Sequence, residues 1–204
     1  MIEEADKTLI HRAFDIIVGH VEGCHGNLDQ CREGVQETPE RVAKAYEHWF
    51  KGYDQDPKEV LKVFEDGADG YDEMVLETDI PVYSHCEHHM AAIFGVAHIA
   101  YVPDGRIVGL SKIPRLVDVF ARRLQVQERL TTQIADCLNE QLLPKGVGVV
   151  LQCRHMCMES RGICTPGVVT TTSALRGCMK NEPEARAEFL DLVNQSRRNN
   201  NSIV

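Results

Sequence analysis

Two separate segments of this chain carry side chains that can bind a metal ion. Residues 84–89 read SHCEHH, and residues 155–157, far along the chain, read HMC. Cys86 and His89 have a C-x-x-H spacing, with which one tight turn can aim both side chains at the same ion. The spacing therefore predicts that Cys86 and His89 are two ligands of a metal site.

The second segment supplies the candidates for a third ligand. Side chains alternate between two faces in an extended segment, so Cys153, His155 and Cys157 are expected to share one face. The spacing alone leaves the choice between these three residues open. A catalytic zinc site normally has three protein ligands and a water molecule, whereas a structural site has four, and Cys153 is the candidate for a fourth.

The surplus histidines favour a catalytic site over a structural one. His88 is left over by any of these ligand sets, and an imidazole exchanges protons near neutral pH. Two cysteines and one histidine around an ion, with a water molecule and further imidazoles close by, are suited to hydrolysis. The alternative is that these thiols and imidazoles pack in the core without a metal.

The composition indicates one globular, cytoplasmic protein. With 204 residues, 43% of them hydrophobic and 26% charged, the chain is long enough for one substantial core. The net charge of −9 argues against a nucleic-acid partner, and no apolar run is long enough for a membrane partner. The N-terminus lacks a signal-peptide pattern, so we expect a cytoplasmic location and reduced thiols at all eight cysteines.

The hydrophobic pattern predicts an α+β fold. Helical spacing covers residues 5–21, and Thr38, Pro39 and Glu40 are typical of the N-cap and first turn of a second helix. Strands are predicted at residues 73–83, 93–102, 107–110, 148–152 and 168–175, and later helices at residues 111–123, 126–142 and 183–193. Neighbouring strand pairs around a helix pair indicate an antiparallel sheet, and the polar residues from Asn194 onward indicate a frayed tail.

Several motifs, in this order, make the chain resemble the GTP cyclohydrolase I family. They are CEHH at 86–89, GLSKIPR at 109–115, RLQVQERLT at 123–131, and HMC at 155–157 followed by Arg161-Gly162. The resemblance extends from about residue 37 to Gly177. It implies an enzyme that converts GTP and water to formate and 7,8-dihydroneopterin triphosphate, the first step of tetrahydrofolate and pterin biosynthesis.

The resemblance also implies a role for each residue of the site. It selects Cys157 as the third ligand, beside Cys86 and His89, of one Zn²⁺ per subunit. It assigns proton transfer to His88 and His155, and contact with the ribose to Ser111. The implied substrate-binding residues are Glu128 and Gln127 for the guanine, and Lys112, Arg115, Arg41, Lys44 and Arg161 for the triphosphate. Backbone N–H groups at the helix start near Ser111 are expected to assist them.

The fold that the resemblance implies is the tunnelling fold, or T-fold. It has an antiparallel β-sheet with a packed helix pair, and an N-terminal helical segment, here residues 1–72, precedes the catalytic domain at residues 73–204. Sheets of neighbouring subunits join into a barrel, so a homodecamer with active sites between subunits is expected.

Two other functions are compatible with the same residues. A related tunnelling-fold enzyme acting on another purine or pterin would share the fold, but would not need two cysteines and a histidine next to His155. A non-catalytic assembly protein stabilised by zinc would bind the metal and tolerate the loss of His155 or Glu128.

Glu159 departs from the family pattern, in which neutral or basic residues precede the arginine. A carboxylate so close in sequence to Arg161 is expected to oppose the binding of a triphosphate. On this hypothesis, Glu159→Ala leaves the KM for GTP unchanged or lowers it.

Overall fold

The computed structural model describes residues 4–24, 27–65 and 70–199. The chain forms two compact units, with the boundary between Asp54 and Gln55. Residues 55–65 therefore belong to the second unit, whereas the sequence pattern placed the division after residue 72. None of the helices in the described ranges is long and apolar enough to cross a membrane.

The N-terminal unit is helical, as predicted. Its helices are α1 (Glu4–Val21), α2 (Glu33–Gln36) and α3 (Thr38–Trp49), with 3-10 turns at Leu28–Gln30 and Lys51–Asp54. Phe14 of α1 contacts Tyr46 of α3 edge to face, with ring centroids 5.3 Å apart. The predicted N-cap, Thr38, is wrong by one residue, because Thr38 and Pro39 already form the first turn. Glu37 is the N-cap, and its side chain makes no capping hydrogen bond.

The prediction that every cysteine is reduced is wrong for one pair. Cys24 and Cys31 form a disulfide, with their Cα atoms 5.6 Å apart. The chain reverses direction after α1, and Glu22 accepts two hydrogen bonds of 2.9 Å from Arg32 across the same turn. This reversal brings the two thiols within bonding distance, which their separation in sequence does not reveal.

The second unit is built on a five-stranded sheet. Its strands are β1 (Val63–Phe64), β2 (Val75–Cys86), β3 (Ala92–Val102), β4 (Ile107–Val108), β5 (Leu124–Gln125), β6 (Gly146–His155) and β7 (Thr170–Gly177). The sheet order is β5-β2-β3-β6-β7, and β1 pairs with β4 separately. All pairs are antiparallel except β2 with β5, so the predicted antiparallel sheet is confirmed.

Helices cover both faces of this sheet. They are α4 (Pro57–Val60), α5 (Lys112–Ala121), α6 (Gln127–Leu142), α7 (Met156–Glu159), α8 (Cys178–Asn181) and α9 (Pro183–Asn199). The main core joins α5 and α6 to one face through fully buried side chains such as Leu116 and Ile134. Phe189 and Val193 of α9 pack on the opposite face.

The predicted frayed tail is wrong for residues 194–199, which continue α9. The Ser196 hydroxyl donates a 2.8 Å hydrogen bond to the carboxylate of Asp79, at an irregularity in β2. This bond, together with the buried Phe189 and Val193, ties the helix to the sheet. Residues 200–204 lie outside the described part of the chain.

The register of β3 brings the two predicted metal-binding segments to the same end of the sheet. Ile93 pairs with Ser84 of β2 on one side and with His155 of β6 on the other. Gly95 allows the close approach, because a Cβ atom there would lie 2.0 Å from the Gln152 carbonyl oxygen. The end of β2 and the end of β6 are therefore held one strand apart.

Glu77 is an acidic residue inside this framework. It lies opposite Ile99 of β3, and its Oε1 atom is buried without a hydrogen-bond partner in the described residues. Burial raises the pKa of Glu77 from 4.5 to about 7. The folded protein therefore binds a proton at Glu77 in a pH range where the unfolded chain has released it.

We expect Glu77→Gln to stabilise the protein above neutral pH. The raised pKa means that the stability of the unmodified protein falls as the pH rises from about 4.5 to about 7 and then stays level. Above that range the ionised carboxylate costs on the order of 2 kcal/mol, after allowance for its partial exposure, and the amide avoids this cost.

Urea unfolding at pH 5 and pH 8 measures the effect. The variant should gain stability over the unmodified protein at pH 8 and little at pH 5. Glu73→Gln, at an exposed position before β2, is the control and should behave alike at both pH values. An equal gain for Glu77→Gln at both pH values would contradict the prediction.

Candidate active site

Cys86, His89 and Cys157 come together at the end of the sheet. Their ligand atoms, two sulfurs and one imidazole nitrogen, all lie within 4.8 Å of one another. Cys86 ends β2, His89 lies in the turn that follows, and Cys157 lies in α7. Of the three candidates that spacing left open for the third ligand, the structure thus brings Cys157 to the other two.

A tight turn sets the first two side chains. The Cys86 N–H donates to the Ala91 carbonyl and the Met90 N–H donates to the Cys86 carbonyl, each at 2.8 Å. Met90 adopts a left-handed conformation with φ of 52°, which closes the turn. The Glu87 N–H is bound at 3.0 Å by the Gln125 carbonyl of the neighbouring strand.

Cys157 reaches the cluster by a different route from the one predicted. Strand β6 ends at His155, and Cys157 lies in the short helix α7, so the expected strand alternation does not apply to it. Cys153 stays in the strand, only 1% exposed, and burial raises the pKa of its thiol to about 12. It is not part of the cluster, so a closed four-ligand site with Cys153 finds no support in the described residues.

The donor set fits a zinc ion. Burial, followed by the hydrogen bond and charge of Cys86, raises the pKa of Cys157, so two thiolates side by side are unfavourable without a cation between them. Two thiolates and one imidazole are preferred ligands of Zn²⁺, and three protein ligands leave a coordination position for water. The residues present could therefore hold a catalytic rather than a structural zinc ion.

His155 is held next to this cluster by a buried glutamine. Its Nε2 atom lies 2.8 Å from the Oε1 atom of Gln127, a residue that is 2% exposed. The Gln127 amide nitrogen, which carries two hydrogens, has three acceptors within 3.2 Å, namely Leu151 O, Thr170 O and Thr172 Oγ1, so Oε1 is the atom turned to the histidine. His155 must then donate from Nε2, which leaves Nδ1 as the free ring nitrogen.

This network was not expected from the sequence pattern. Gln127 was predicted to bind substrate; in the structure its polar atoms bond within the protein, an arrangement that suits a residue positioning His155. Thr170 and Thr172 were not predicted to take part, because a run of threonines is also typical of an ordinary strand. Their part in the network becomes evident only from the pairing of β7 with β6 and from the position of β7 facing α6.

The charge state of His155 reflects opposing influences. Burial lowers its pKa, and the carboxylates of Glu128 and Glu159 partly offset this effect. Glu128 is exposed at the first turn of α6, so its carboxylate is accessible to a ligand beside the histidine.

His88 lies between the sulfur of Cys86 and the carboxylate of Glu87. Its Nδ1 atom is 3.8 Å from Cys86 Sγ, and its Nε2 atom is 3.7 Å from Glu87 Oε1. Glu87 in turn forms an ion pair with Arg129. The proximity of Glu87 to this histidine was not predicted, although Glu87 lies inside the CEHH motif.

The predicted cationic residues fall into two groups. Lys112 and Arg115 have no carboxylate partner within the part of the chain that the structure describes, and Arg161 NH1 lies 3.1 Å from His89 Nε2. Arg41 and Lys44, in the N-terminal unit, pair with Glu37 and Glu40 one helical turn away. Such exposed pairs are weak and can be exchanged for another anion.

The predicted backbone donors at the start of α5 are not available. The N–H groups of Lys112 and Ile113 donate to the carbonyls of Gly109 and Leu110, and Pro114 has no N–H. Ser111 precedes the helix with an exposed side chain. The N–H groups of Lys112 and Ile113 are therefore not offered to an anion, and the side chains of the region remain as donors.

These features define an α+β protein with a candidate catalytic metal centre at one end of an antiparallel sheet. The profile of the family described as GTP cyclohydrolase I matches residues 25–194. The chain belongs to the GTP cyclohydrolase I family.

Individual relatives agree with this assignment. GTP cyclohydrolase 1 of Janthinobacterium sp. (strain Marseille) is 63% identical over 164 residues, which cover 80% of this chain and 83% of that protein. GTP cyclohydrolase 1 of Chlorobaculum tepidum is 57% identical over 190 residues, which cover 93% of this chain and 84% of that protein. The structure of an archaeosine synthase QueF-Like in the apo form is 17% identical with a TM-score of 0.43 and covers 51% of this chain and 93% of that one, too weak a similarity to assign a fold.

We expect Gln127→Leu to reduce turnover by releasing His155. The variant removes the acceptor at His155 Nε2 and leaves the Leu151 and Thr170 carbonyls without this donor, at a cost of about 2 kcal/mol in stability. The kcat for GTP should fall while bound zinc is retained. Steady-state kinetics and metal analysis measure the two effects.

Gln133→Leu is the matched control on the same helix. Its side chain accepts a 2.9 Å hydrogen bond from Gln125 and is not in contact with His155. This variant should lose stability without a comparable loss of kcat. Equal losses of kcat in both variants would show that Gln127 acts through general stability.

Proposed function

We propose that this chain opens the imidazole ring of GTP at the site around Cys86, His89 and Cys157. The products are formate and 7,8-dihydroneopterin triphosphate, as the family's activity implies. The observation that carries this proposal is the convergence of two thiols and an imidazole beside His155, whose orientation Gln127 sets. A non-catalytic zinc protein has no need of a histidine held in this way.

Cys86, His89 and Cys157 are the proposed ligands of Zn²⁺. When bound, the ion supplies a Lewis acid that makes a water molecule acidic enough to serve as a nucleophile near neutral pH. The remaining chemistry belongs to side chains of this chain.

His155 is the proposed proton-transfer group at the purine ring. Attack at carbon 8 of guanine requires an electron sink, which protonation of nitrogen 7 provides. Because Nε2 of His155 is bound to Gln127, the proton exchanged with the purine is held at Nδ1. The carboxylates of Glu128 and Glu159 favour the charged ring and so partly offset the effect of burial on its pKa.

His88 is the proposed second proton-transfer group, for ring opening and the later rearrangement of the ribose. Its imidazole is exposed, and the Glu87 carboxylate lies 3.7 Å from Nε2. Ser111, also exposed, is proposed to hydrogen-bond the ribose. Glu128 is proposed to accept the two adjacent N–H donors on the pyrimidine edge of guanine, which one carboxylate can accept together.

The triphosphate is proposed to bind to cationic side chains. Lys112, Arg115 and Arg161 have no carboxylate partner among the described residues, which leaves their charge available to an anion. For Arg41 and Lys44, which lie in the N-terminal unit, the same role is proposed from the family resemblance alone. An acidic protein can bind GTP in this way, because the local charge near the site decides the interaction.

Assembly through the sheet edges is also part of this proposal. Strands β5 and β7 form the two edges of the sheet, and an open edge is stabilised by pairing with another strand. We propose that the catalytic domain has the tunnelling fold, with sheets joined into a barrel across subunits of a homodecamer. The cytoplasm, with tetrahydrofolate or pterin biosynthesis, is the proposed setting.

We expect purified protein with GTP to release formate and to form a pterin that fluoresces after oxidation. A chelator should abolish both signals, and added zinc should restore both, because the three proposed ligands leave a position for the reacting water. Formate without pterin would direct attention to Ser111 and His88. No turnover by zinc-loaded protein would contradict the proposed activity.

Cys157→Ala and His155→Ala should separate metal binding from proton transfer. Cys157→Ala is expected to lose both zinc and activity, since it removes a proposed ligand. His155→Ala is expected to keep zinc and to lose turnover by a factor of about a hundred to ten thousand, the usual contribution of a general acid. Equal loss of zinc in both variants would make His155 a ligand and would overturn its assigned role.

A further inference from the structure

The loop between α7 and β7 is closed by a cluster of hydrogen bonds around Glu159. Arg154 at the end of β6 donates from Nε to Glu159 Oε1 at 2.8 Å and from NH2 to Oε2. The Gly167 N–H donates to Glu159 Oε2 at 3.2 Å. The Glu159 carboxylate, at the start of the loop, therefore connects Arg154 of the preceding strand to Gly167 near the end of the loop.

Arg161 lies within this closed loop. One turn of the loop is closed by the hydrogen bond from the Cys164 N–H to the Arg161 carbonyl, and the Thr165 N–H donates back to the Met158 carbonyl of α7. Arg161 is exposed and directs its guanidinium to His89 of the candidate metal centre. The position of Arg161 at the site thus depends on a loop whose two ends meet at Glu159.

The same cluster determines the charge next to the site. The side chain of Glu159 is 6% exposed, and both of its carboxylate oxygens accept hydrogen bonds from the Arg154 guanidinium. Arg154 also lies over the ring of Phe94, 5.3 Å from its centroid, which holds the guanidinium in place. The negative charge of Glu159 is thereby compensated before an anion approaches.

We propose that Arg154 and Glu159 are positioning residues that hold Arg161 for the triphosphate of GTP. The inference rests on the proposed role of Arg161 and changes the expectation drawn from the sequence. Glu159 was expected to oppose the binding of the anion, so that its removal would leave the KM unchanged or lower it. With its charge paired and its oxygens holding the loop, its removal should raise the KM.

The first test is the kinetics of Glu159→Ala and Arg154→Ala in the assembled, zinc-loaded enzyme. We expect the KM for GTP to rise roughly tenfold in Glu159→Ala and kcat to fall by a much smaller factor, because Glu159 also acts weakly on the charge of His155; the larger change in KM indicates lost substrate binding. Arg154→Ala should have the larger effect, because it also leaves an unpaired carboxylate near the anion. The double variant should resemble Glu159→Ala, since the two residues act as a unit.

Exchanging the two charges tests whether the loop contact of Glu159 matters separately from its ion pair with Arg154. Arg154→Glu with Glu159→Arg restores an ion pair, but an arginine at position 159 has no acceptor for the Gly167 N–H. The exchanged protein should regain thermal stability without regaining the low KM. Recovery of both would overturn the proposal, because the pair would then serve stability alone.

Arg176→Ala is the matched control. Arg176 of β7 donates to Asp136 of α6 at 2.7 Å and is as exposed as Arg154, at 27% against 28%. It should lose stability to a similar degree while its KM for GTP stays unchanged. A rise in KM equal to that of Arg154→Ala would show that any lost ion pair disturbs the site.

Arg161→Ala distinguishes failure of this inference from failure of the proposed binding role. If Arg161→Ala leaves the KM unchanged, the binding role of Arg161 is wrong. If Arg161→Ala raises the KM, then Glu159→Ala should add little in that background. A full additional effect would show that Glu159 acts by another route, and an unchanged KM in both Arg154→Ala and Glu159→Ala would overturn the positioning role directly.

Discussion

The pairing of Ile93 with both Ser84 and His155 is the constraint on which the site depends. It places the end of β2 and the end of β6 on either side of one residue of β3. A slip of one residue would turn every side chain of the moved strand to the other face. The pairing of β3 with β6 tolerates little change here, because the Gln152 carbonyl can approach residue 95 so closely only when that residue has no side chain.

A buried polar network links this strand register to the orientation of the His155 side chain. Gln127 lies at the start of α6 but bonds to carbonyls of β6 and β7 and to His155. A buried amide of this kind is stable only when its partners are all in place. The packing of α6 on the sheet therefore also sets the orientation of the His155 imidazole.

Local compensation explains how a chain with a net charge of −9 can present a cationic site. Two acidic residues within or beside the metal-binding segments are paired, Glu87 with Arg129 and Glu159 with Arg154. Lys112 and Arg115 have no such partner in the described ranges, so their charge remains for a ligand. Net charge therefore predicts little about a small polar site, whereas the pairing pattern predicts its sign.

The sequence by itself determined the features that depend on neighbours along the chain. The order of helices and strands follows from hydrophobic periodicity, and the joint orientation of Cys86 and His89 follows from a spacing of three residues. Cys157, His155 and Cys153 could not be separated in this way, because strand alternation was assumed through a segment that becomes helical after His155.

Only the tertiary structure decided which distant groups meet. It brought Cys157, which the family resemblance had already indicated and spacing had not, to Cys86 and His89. It also formed the Cys24–Cys31 disulfide and enclosed Glu159 between Arg154 and Gly167. It also showed that Gln127 bonds to His155, and that the amides at the start of α5 are already used. The physical reason is the same in each case: these contacts are set by strand register and helix packing, which are cooperative properties of the whole core and leave no local pattern in the sequence.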